Sequence, residues 1–497
     1  MGSIEQQTVE HHDILILGAG LTGINTAHVI RDKLPHRKFA ILEKRPVVGG
    51  TWSFFKYPGF RSDSFLTVFG FPWHPWPHKH RMANARDIMA YIDDALDSSG
   101  LRKYIRLSHE VVSCEWRSQE QKWFVEVDAD GVRKTMVANF VAGCTGYYSY
   151  EKAFETVIPG LQDFGGKVVH PQWWPEELDY AGKNIVIVGS GATAVTLLPA
   201  LAEKAGSVTM LQRSPSYVIS RSTVSYLTLF LRLFLPLTLV AQVNRLLDTL
   251  SEVIATQFLL HCPDLGRAVL TKEMKQSLPD DIEVNVHFNP SYDPFKQRLC
   301  LCPDGDFFKA LHRDGCSVVT DTIQTVTNNG IQLSSGRKLD ADIIITATGL
   351  YFQLFGGVEP VVDGKTINMG DHYTWRGCML DGVPNAAFVM GYVTQSWTPG
   401  ADAMAATVAR LLKHMEAKGA SSVTPTIERR PGMTSKIAVS ASSNYLVKAA
   451  DRFPKSTGEG PWYGRTNLVV DLWALWFGSM DVGMVYTRSQ DLKNKNV

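Results

Sequence analysis

An α/β fold made of two similar parallel-sheet units is what the 497-residue sequence predicts, on three observations. An apolar run, Asp13-Ile14-Leu15-Ile16-Leu17, enters Gly18-Ala19-Gly20-Leu21-Thr22-Gly23. A second, Asn184-Ile185-Val186-Ile187-Val188, enters Gly189-Ser190-Gly191-Ala192-Thr193-Ala194. Each unit then closes with a further apolar strand that stops at a small-residue turn, 141–146 in the first and 342–349 in the second. A strand that runs into G-x-G-x-x-G or G-x-G-x-x-A at a helix start leaves backbone N–H groups facing a pyrophosphate. Both units are therefore Rossmann-like and dinucleotide-binding. Two dinucleotides in one enzyme exist to pass electrons between them.

In chain order, the first strand and turn lead into a helix reaching about Leu34, and residues 38–42 form the next strand, ending at Glu43. The glycines provide a tight turn, close phosphate approach and close helix packing, and an acid about 20 residues on accepts hydrogen bonds from ribose hydroxyls. This is the βαβ unit of an adenosine site. Residues 60–77 read as an aromatic-rich loop where the unit meets its ligand, 85–96 as a helix, and 123–127 and 135–142 as strands. Residues 159–175 cross to the second unit.

There the strand 208–212 ends at Arg213, in the place of Glu43. An acid would repel a 2′-phosphate and an arginine pairs with it, so the second site asks for NADPH. Residues 220–280 look like a helical insert, and 282–302 a loop punctuated by proline and asparagine. Thr398 is suited to cap a helix with Pro399 in its first position, running to about Met415. Its positive end could face an anion such as a flavin edge.

Composition narrows the classes. The chain is 45% hydrophobic and 20% charged with a formal net charge of +1, which gives no electrostatic reason to expect nucleic acid. Seven cysteines have no paired CxxC spacing, so they read as reduced thiols and no metal site is expected. The N-terminus lacks the basic flank and apolar core of a signal peptide, Gln6 spoils a myristoylation pattern, and the C-terminus carries no lipidation or peroxisomal signal. The expected location is cytoplasmic. Residues 226–240 are almost wholly apolar apart from Arg232, yet shorter than the ~20 residues a membrane span needs. The ordinary expectation is a buried or substrate-lining helix pair; a weak membrane-surface contact is the alternative.

Three stretches carry a family resemblance. Phe164-Gly165-Gly166-Lys167-Val168-Val169-His170-Pro171-Gln172-Trp173-Trp174-Pro175 fits F-x-G-x-x-x-H-x-x-x-W-P at every fixed place. Gly49-Gly50-Thr51-Trp52-Ser53-Phe54-Phe55-Lys56-Tyr57-Pro58-Gly59-Phe60-Arg61-Ser62-Asp63 fits [AG]-G-x-W-x(4)-[FY]-P-G-x(3)-D. Both resemble class B flavoprotein monooxygenases, and within them the type I Baeyer–Villiger enzymes. The third, 289–300, together with 376–380 and 391–397, is most similar to the ethionamide-activating mycobacterial branch of that family. The similarity is loose over 220–280 and after 425.

The resemblance implies FAD on Gly18, Gly20, Gly23 and Glu43, NADPH on Gly189, Gly191, Thr193 and Arg213, and a cofactor-binding role for Gly50, Thr51, Trp52 and Asp63. It adds Gln297 and Trp397 to the cofactor-binding set. It places Arg298 over the flavin as the catalytic residue that keeps a C4a-peroxide anionic, with Asp63 orienting it, a role suited to a cation that cannot surrender its proton. It puts His170 and Trp174 on the interdomain linker. One departure stands out: Gln297 takes the place of a lysine that helps hold NADPH in ketone-oxidising members, which leaves NADPH preference resting on Arg213.

The implied organisation is an FAD domain in two parts, 1–165 and 345–497, flanking an NADPH domain, 166–344. The implied reaction inserts one atom of O2 into a hydrophobic ketone or aldehyde, giving an ester or lactone. Oxygenation of sulfur or nitrogen by the same flavin is the near rival. A disulfide reductase is disfavoured, because no cysteine precedes Cys114 and Cys300-x-Cys302 is a poor redox spacing. Trp73, Trp76, Trp397 and the apolar insert would suit a bulky hydrophobic substrate.

Overall fold

The computed structural model describes residues 9–297, 299–392, 395–439, 447–465 and 467–489. Arg298 lies outside the described residues.

Strand Glu10–Leu17 is the centre of the first sheet because both its faces are apolar. It pairs in parallel with Phe39–Leu42 on one side and Val132–Gly143 on the other. Successive side chains alternate between two layers. Ile14 and Ile16 pack under helices Leu21–Lys33, Ala85–Ser99 and Trp397–Lys418, while Leu15 and Leu17 join Trp116, Trp123, Phe352 and Phe388 on the opposite face. Beyond Val132–Gly143 the sheet continues antiparallel through Lys122–Ala129 and His109–Arg117. Strands from far along the chain complete it: Pro360–Val362 pairs with His109–Arg117, and Ala386–Phe388 with the end of Val132–Gly143.

The second sheet is five-stranded and wholly parallel, ordered Cys316–Thr320, Ser207–Gln212, Asn184–Val188, Ile343–Thr346, Lys167–Val169. Helix Ala192–Leu201 covers one face. A three-stranded meander formed by Ile323–Thr327, Gly330–Leu333 and Lys338–Asp340 covers the other. The chain crosses between the sheets twice, and the crossings meet: Tyr148–Ala153 pairs antiparallel with Leu350–Phe352.

The expected helical insert holds Tyr226–Leu231, Leu237–His261 and Pro263–Ser277. The expectation that 226–240 is buried is overturned, since Tyr226, Phe230, Leu233, Phe234 and Leu237 are exposed. The long helix turns its polar side inward instead. Arg245 donates to the carbonyls of Val68 and Gly70 and to Asp402, and Asp248 accepts from Thr67 and Arg81. Trp73 and Trp76 are also not substrate-facing. Trp73 stacks between His28 and Phe71, and Trp76 is buried against Tyr91.

Candidate active site

The two glycine turns open on a single cavity of ≈ 710 Å³ that lies between the sheets. Gly18, Gly20, Glu43, Gly50, Thr51, Trp52, Asp63, Gly191, Thr193, Gln297 and Trp397 all line it. Gly23, Gly189 and Arg213 do not. Gly23 and Gly189 stand behind their turns, where a Cβ would run into the carbonyls of Gly18 and Ala347 respectively. Arg213 is exposed just past the end of Ser207–Gln212, beyond the cavity wall.

The first turn fits an FAD pyrophosphate. Gly18 has φ +100°, and a Cβ there would lie 2.8 Å from the Cys144 carbonyl oxygen, so the strand-to-helix turn tolerates no side chain. Gly20 and Gly50 face each other across the cradle: a Cβ on Gly50 would sit 3.2 Å from the Gly20 Cα. The buried Glu43 carboxylate accepts from the N–H groups of Ala19 at 2.8 Å and Arg45 at 3.0 Å, which fixes it at the strand end where a ribose belongs. The second turn is open. Nothing lies within 4 Å of a Cβ built on Gly191, so its backbone is accessible to a second pyrophosphate at the start of Ala192–Leu201.

The loop 50–63 joins the two units, and its residue types explain how. Arg45 donates to the Gly50 carbonyl and to the hydroxyl and carbonyl of Ser53, tying the short helix Thr51–Phe54 to the end of the first strand pair. The Thr51 hydroxyl is 2.6 Å from that of Tyr148 on the linker, and Phe54 stacks on Tyr150 at 4.1 Å. Gly59, at φ +75°, is pressed on the second unit's helix, where a Cβ would lie 2.9 Å from Ala200 Cβ and the Thr196 carbonyl. The buried Tyr57 hydroxyl bonds Thr193, and burial, with the nearby Asp63 carboxylate, pushes its pKa up. Tyr57 therefore stays a neutral donor. Arg45 and Tyr148 were not singled out in the sequence because no local spacing marks them; their partners come together only in the fold.

Asp63 is half-buried on the cavity wall and interacts with its surroundings, as does Gln297. Gln297 and Cys300, on either side of the undescribed Arg298, both line the cavity. Trp397 donates from Nε1 to the Thr22 hydroxyl at 2.8 Å and stacks on Tyr147 at 5.3 Å, which locks it over the first turn. The helix it begins, Trp397–Lys418, has Ser396 as its N-cap, not Thr398. The Thr398 hydroxyl is committed to the Phe69 carbonyl. Glu252 of the insert serves the helix start instead, accepting from the Ser396 N–H at 2.6 Å and its hydroxyl at 2.8 Å. A carboxylate at the positive end of a helix is favourable, and a residue 144 positions away cannot be read from local sequence.

His170 accepts from the Gln172 N–H through Nδ1, and burial holds its pKa below the ordinary histidine value. Gln172 donates to the carbonyls of Ser149 and Lys152, and Trp173 to that of Tyr150. This segment thus grips the crossing strand Tyr148–Ala153. None of the seven cysteines is disulfide-bonded, and burial pushes the Cys144 and Cys302 thiols up to about 12, so neither supplies a thiolate for disulfide chemistry. Among the described residues, no group of three or more His, Cys, Asp or Glu is placed to hold a metal.

A family model described as FMO-like, flavin-binding monooxygenase-like, matches residues 12–228. The chain is 41% identical over 475 residues to the FAD-containing monooxygenase EthA of Mycolicibacterium smegmatis, covering 95% of this chain and 96% of that protein. It is 40% identical over 479 residues to the probable FAD-binding monooxygenase AlmA of Acinetobacter baylyi, covering 96% of each. Two solved structures share the fold at low identity. A steroid monooxygenase bound to NADP superposes with TM-score 0.74 at 20% identity, over 96% of this chain and 100% of that one. Cyclohexanone monooxygenase from Rhodococcus sp. Phi1 bound to NADP+ gives 0.73 at 18%, over 97% and 100%. With identity at this level along nearly the whole chain, the chain belongs to the flavin-binding monooxygenase family of EthA and AlmA and is a flavoprotein monooxygenase.

Proposed function

We propose that the enzyme is a Baeyer–Villiger monooxygenase that inserts one atom of O2 into a hydrophobic ketone or aldehyde, giving an ester or lactone. The observation that carries this reading is the convergence of Asp63, Gln297 and Trp397 on one cavity with both glycine turns. FAD held by these residues would supply the oxygen-activating chemistry, and NADPH the reducing equivalents.

The chain's own part is binding, orientation and exclusion of water. Gly18, Gly20, Gly23, Glu43, Gly50, Thr51 and Trp52 are assigned to FAD, and Gly189, Gly191, Thr193, Arg213 and Gln297 to NADPH. Trp397 is assigned to the flavin side. Arg298 is assigned the permanent positive charge that the reaction needs, with Asp63 orienting it. Trp52, Phe55, Phe60 and Tyr148 wall the cavity with rings and keep water from the reaction. The FAD domain is assigned to 1–165 and 345–497, and the NADPH domain to 166–344. A weak membrane-surface contact through 226–240 belongs to the same reading.

The test is a panel of hydrophobic ketones and aryl sulfides supplied with NADPH and isotopically labelled O2, with products identified by mass spectrometry. Ester bearing one labelled oxygen is expected from the ketones. Arg298→Ala is expected to abolish ester formation while retaining FAD. Sulfoxide from the sulfides with no ester from any ketone would transfer the assignment to heteroatom oxygenation.

A further inference from the structure

The helical insert is inverted relative to an ordinary surface helix, whose polar side faces water. Four charged residues occur between 226 and 260: Arg232, Arg245, Asp248 and Glu252. The last three are turned into the protein, on Asp402, Arg81 and Ser396 respectively. What faces outward is Phe230 at 59% exposure, Leu233 at 75% and Phe234 at 70%, continuing along Leu237–His261 through Leu246, Leu250 and Ile254.

A second, independent element repeats the pattern. Helix Leu468–Phe477 has one charged residue, Asp471, and it is buried in an ion pair with Arg465. Trp473 and Trp476 stand outward at 67% and 63% exposure, with Phe477 beside them. Both elements pack against Trp397–Lys418, the first through Arg245 to Asp402 and the second through Arg410 to the Leu475 carbonyl. Among the described residues no helix is long and apolar enough to cross a membrane.

We propose that this face is a docking surface for an anionic lipid bilayer, on which the insert lies with its aromatic and aliphatic side chains in the headgroup and acyl boundary. The chemistry of the face selects lipid over a protein partner. Protein interfaces carry a polar rim and about one hydrogen bond per 100–200 Å². Here no acidic side chain is exposed between 226 and 260, and the exposed polar side chains there are few. Tryptophan and tyrosine are the residues that settle at a membrane interface. Basic groups are tied to the apolar segment: Arg232, between Phe230 and Phe234 in the chain, donates to the Pro77 carbonyl at the start of the exposed His78-Lys79-His80 loop. The proposal deepens the membrane-surface reading of 226–240. It stands apart from the oxygen-insertion reading, because docking is measured without turnover.

The test is flotation of the FAD-loaded full chain with large unilamellar vesicles of phosphatidylcholine containing phosphatidylglycerol, against phosphatidylcholine alone, with oligomeric state measured by light scattering. The wild type is expected to float with the anionic vesicles and to bind less as salt rises. Phe230→Ser with Phe234→Ser is expected to lower partitioning roughly tenfold or more, with flavin absorbance per protein unchanged. Trp473→Ser gives an independent loss from the second element, and Lys79→Glu is expected to weaken anionic binding by roughly fivefold. All these substitutions are on exposed side chains, so retained flavin separates loss of docking from loss of fold. Absence of wild-type flotation with either vesicle would overturn the proposal. So would a wild-type dimer that becomes monomeric in the double variant without any vesicle binding, which would make the face a contact between copies.

Discussion

At residue scale, the second glycine turn offers a clean separation of folding from cofactor use. A side chain on Gly191 meets nothing within 4 Å, so Gly191→Val leaves the sheet and the FAD cradle intact while blocking the approach of NADPH. Full flavin absorbance with kcat/KM for NADPH lowered ~100-fold or more, worth about 2.7 kcal/mol, is the expected result of a steady-state assay. Arg213 tests nucleotide choice. Its exposed guanidinium is assigned to the 2′-phosphate, a charge-assisted contact of about 1.5–3 kcal/mol, so Arg213→Ala should raise KM for NADPH by roughly 10–150-fold and leave NADH use unchanged. A further residue reports on pH. His28 is stacked on Trp73 at 4.0 Å, and burial, aided by Arg31, pushes it down from 6.5 to about 4. The unfolded chain takes up a proton below 6.5 that the folded one refuses, so the stabilisation from this group is full above 6.5 and lost as pH falls toward about 4. Thermal melts of the wild type should therefore lose more between pH 7 and pH 5 than those of His28→Phe; equal losses would show that the imidazole titrates normally.

At the scale of elements, what the sequence made legible follows from how local each cause is. The paired strand-turn-helix units could be read because strand hydrophobicity, glycine and the terminal residue lie within about 30 residues of one another. The start of Trp397–Lys418 could not. Thr398 has the chemistry of a cap, but its hydroxyl is taken by Phe69, and the carboxylate that serves the helix comes from the insert. The exposure of 226–240 escapes local sequence for a related reason. Apolar periodicity says that a helix has an oily side, and only the inward bonds of Arg245, Asp248 and Glu252 decide which way that side points. Trp73 and Trp76 looked like substrate walls and are core, since the stacking partner of Trp73 on Leu21–Lys33, His28, lies 45 residues earlier in the numbering. The contact with Ser396 also gives a stability prediction. Glu252→Ala removes two hydrogen bonds and a charge at a helix N-terminus, so it should cost about 1–2 kcal/mol in denaturant unfolding, while Glu252→Gln should cost less than half of that.

At the scale of the whole molecule, a mixed sheet and a wholly parallel sheet present their glycine turns to one cavity, and the loop 50–63 of the first unit touches the second through Tyr57 on Thr193 and Gly59 on Ala200. The two crossings between the sheets pair with each other, and Gln172 and Trp173 hold one of them by its carbonyls. On the proposed reading, this cavity delivers one oxygen atom to a ketone carbon. The most direct measurement is a single turnover of the NADPH-reduced enzyme, mixed with isotopically labelled O2 and a hydrophobic ketone and analysed by mass spectrometry. Ester carrying one labelled oxygen per NADPH consumed is the predicted result. Stoichiometric hydrogen peroxide with the ketone returned unchanged, over the whole ketone panel, would contradict it.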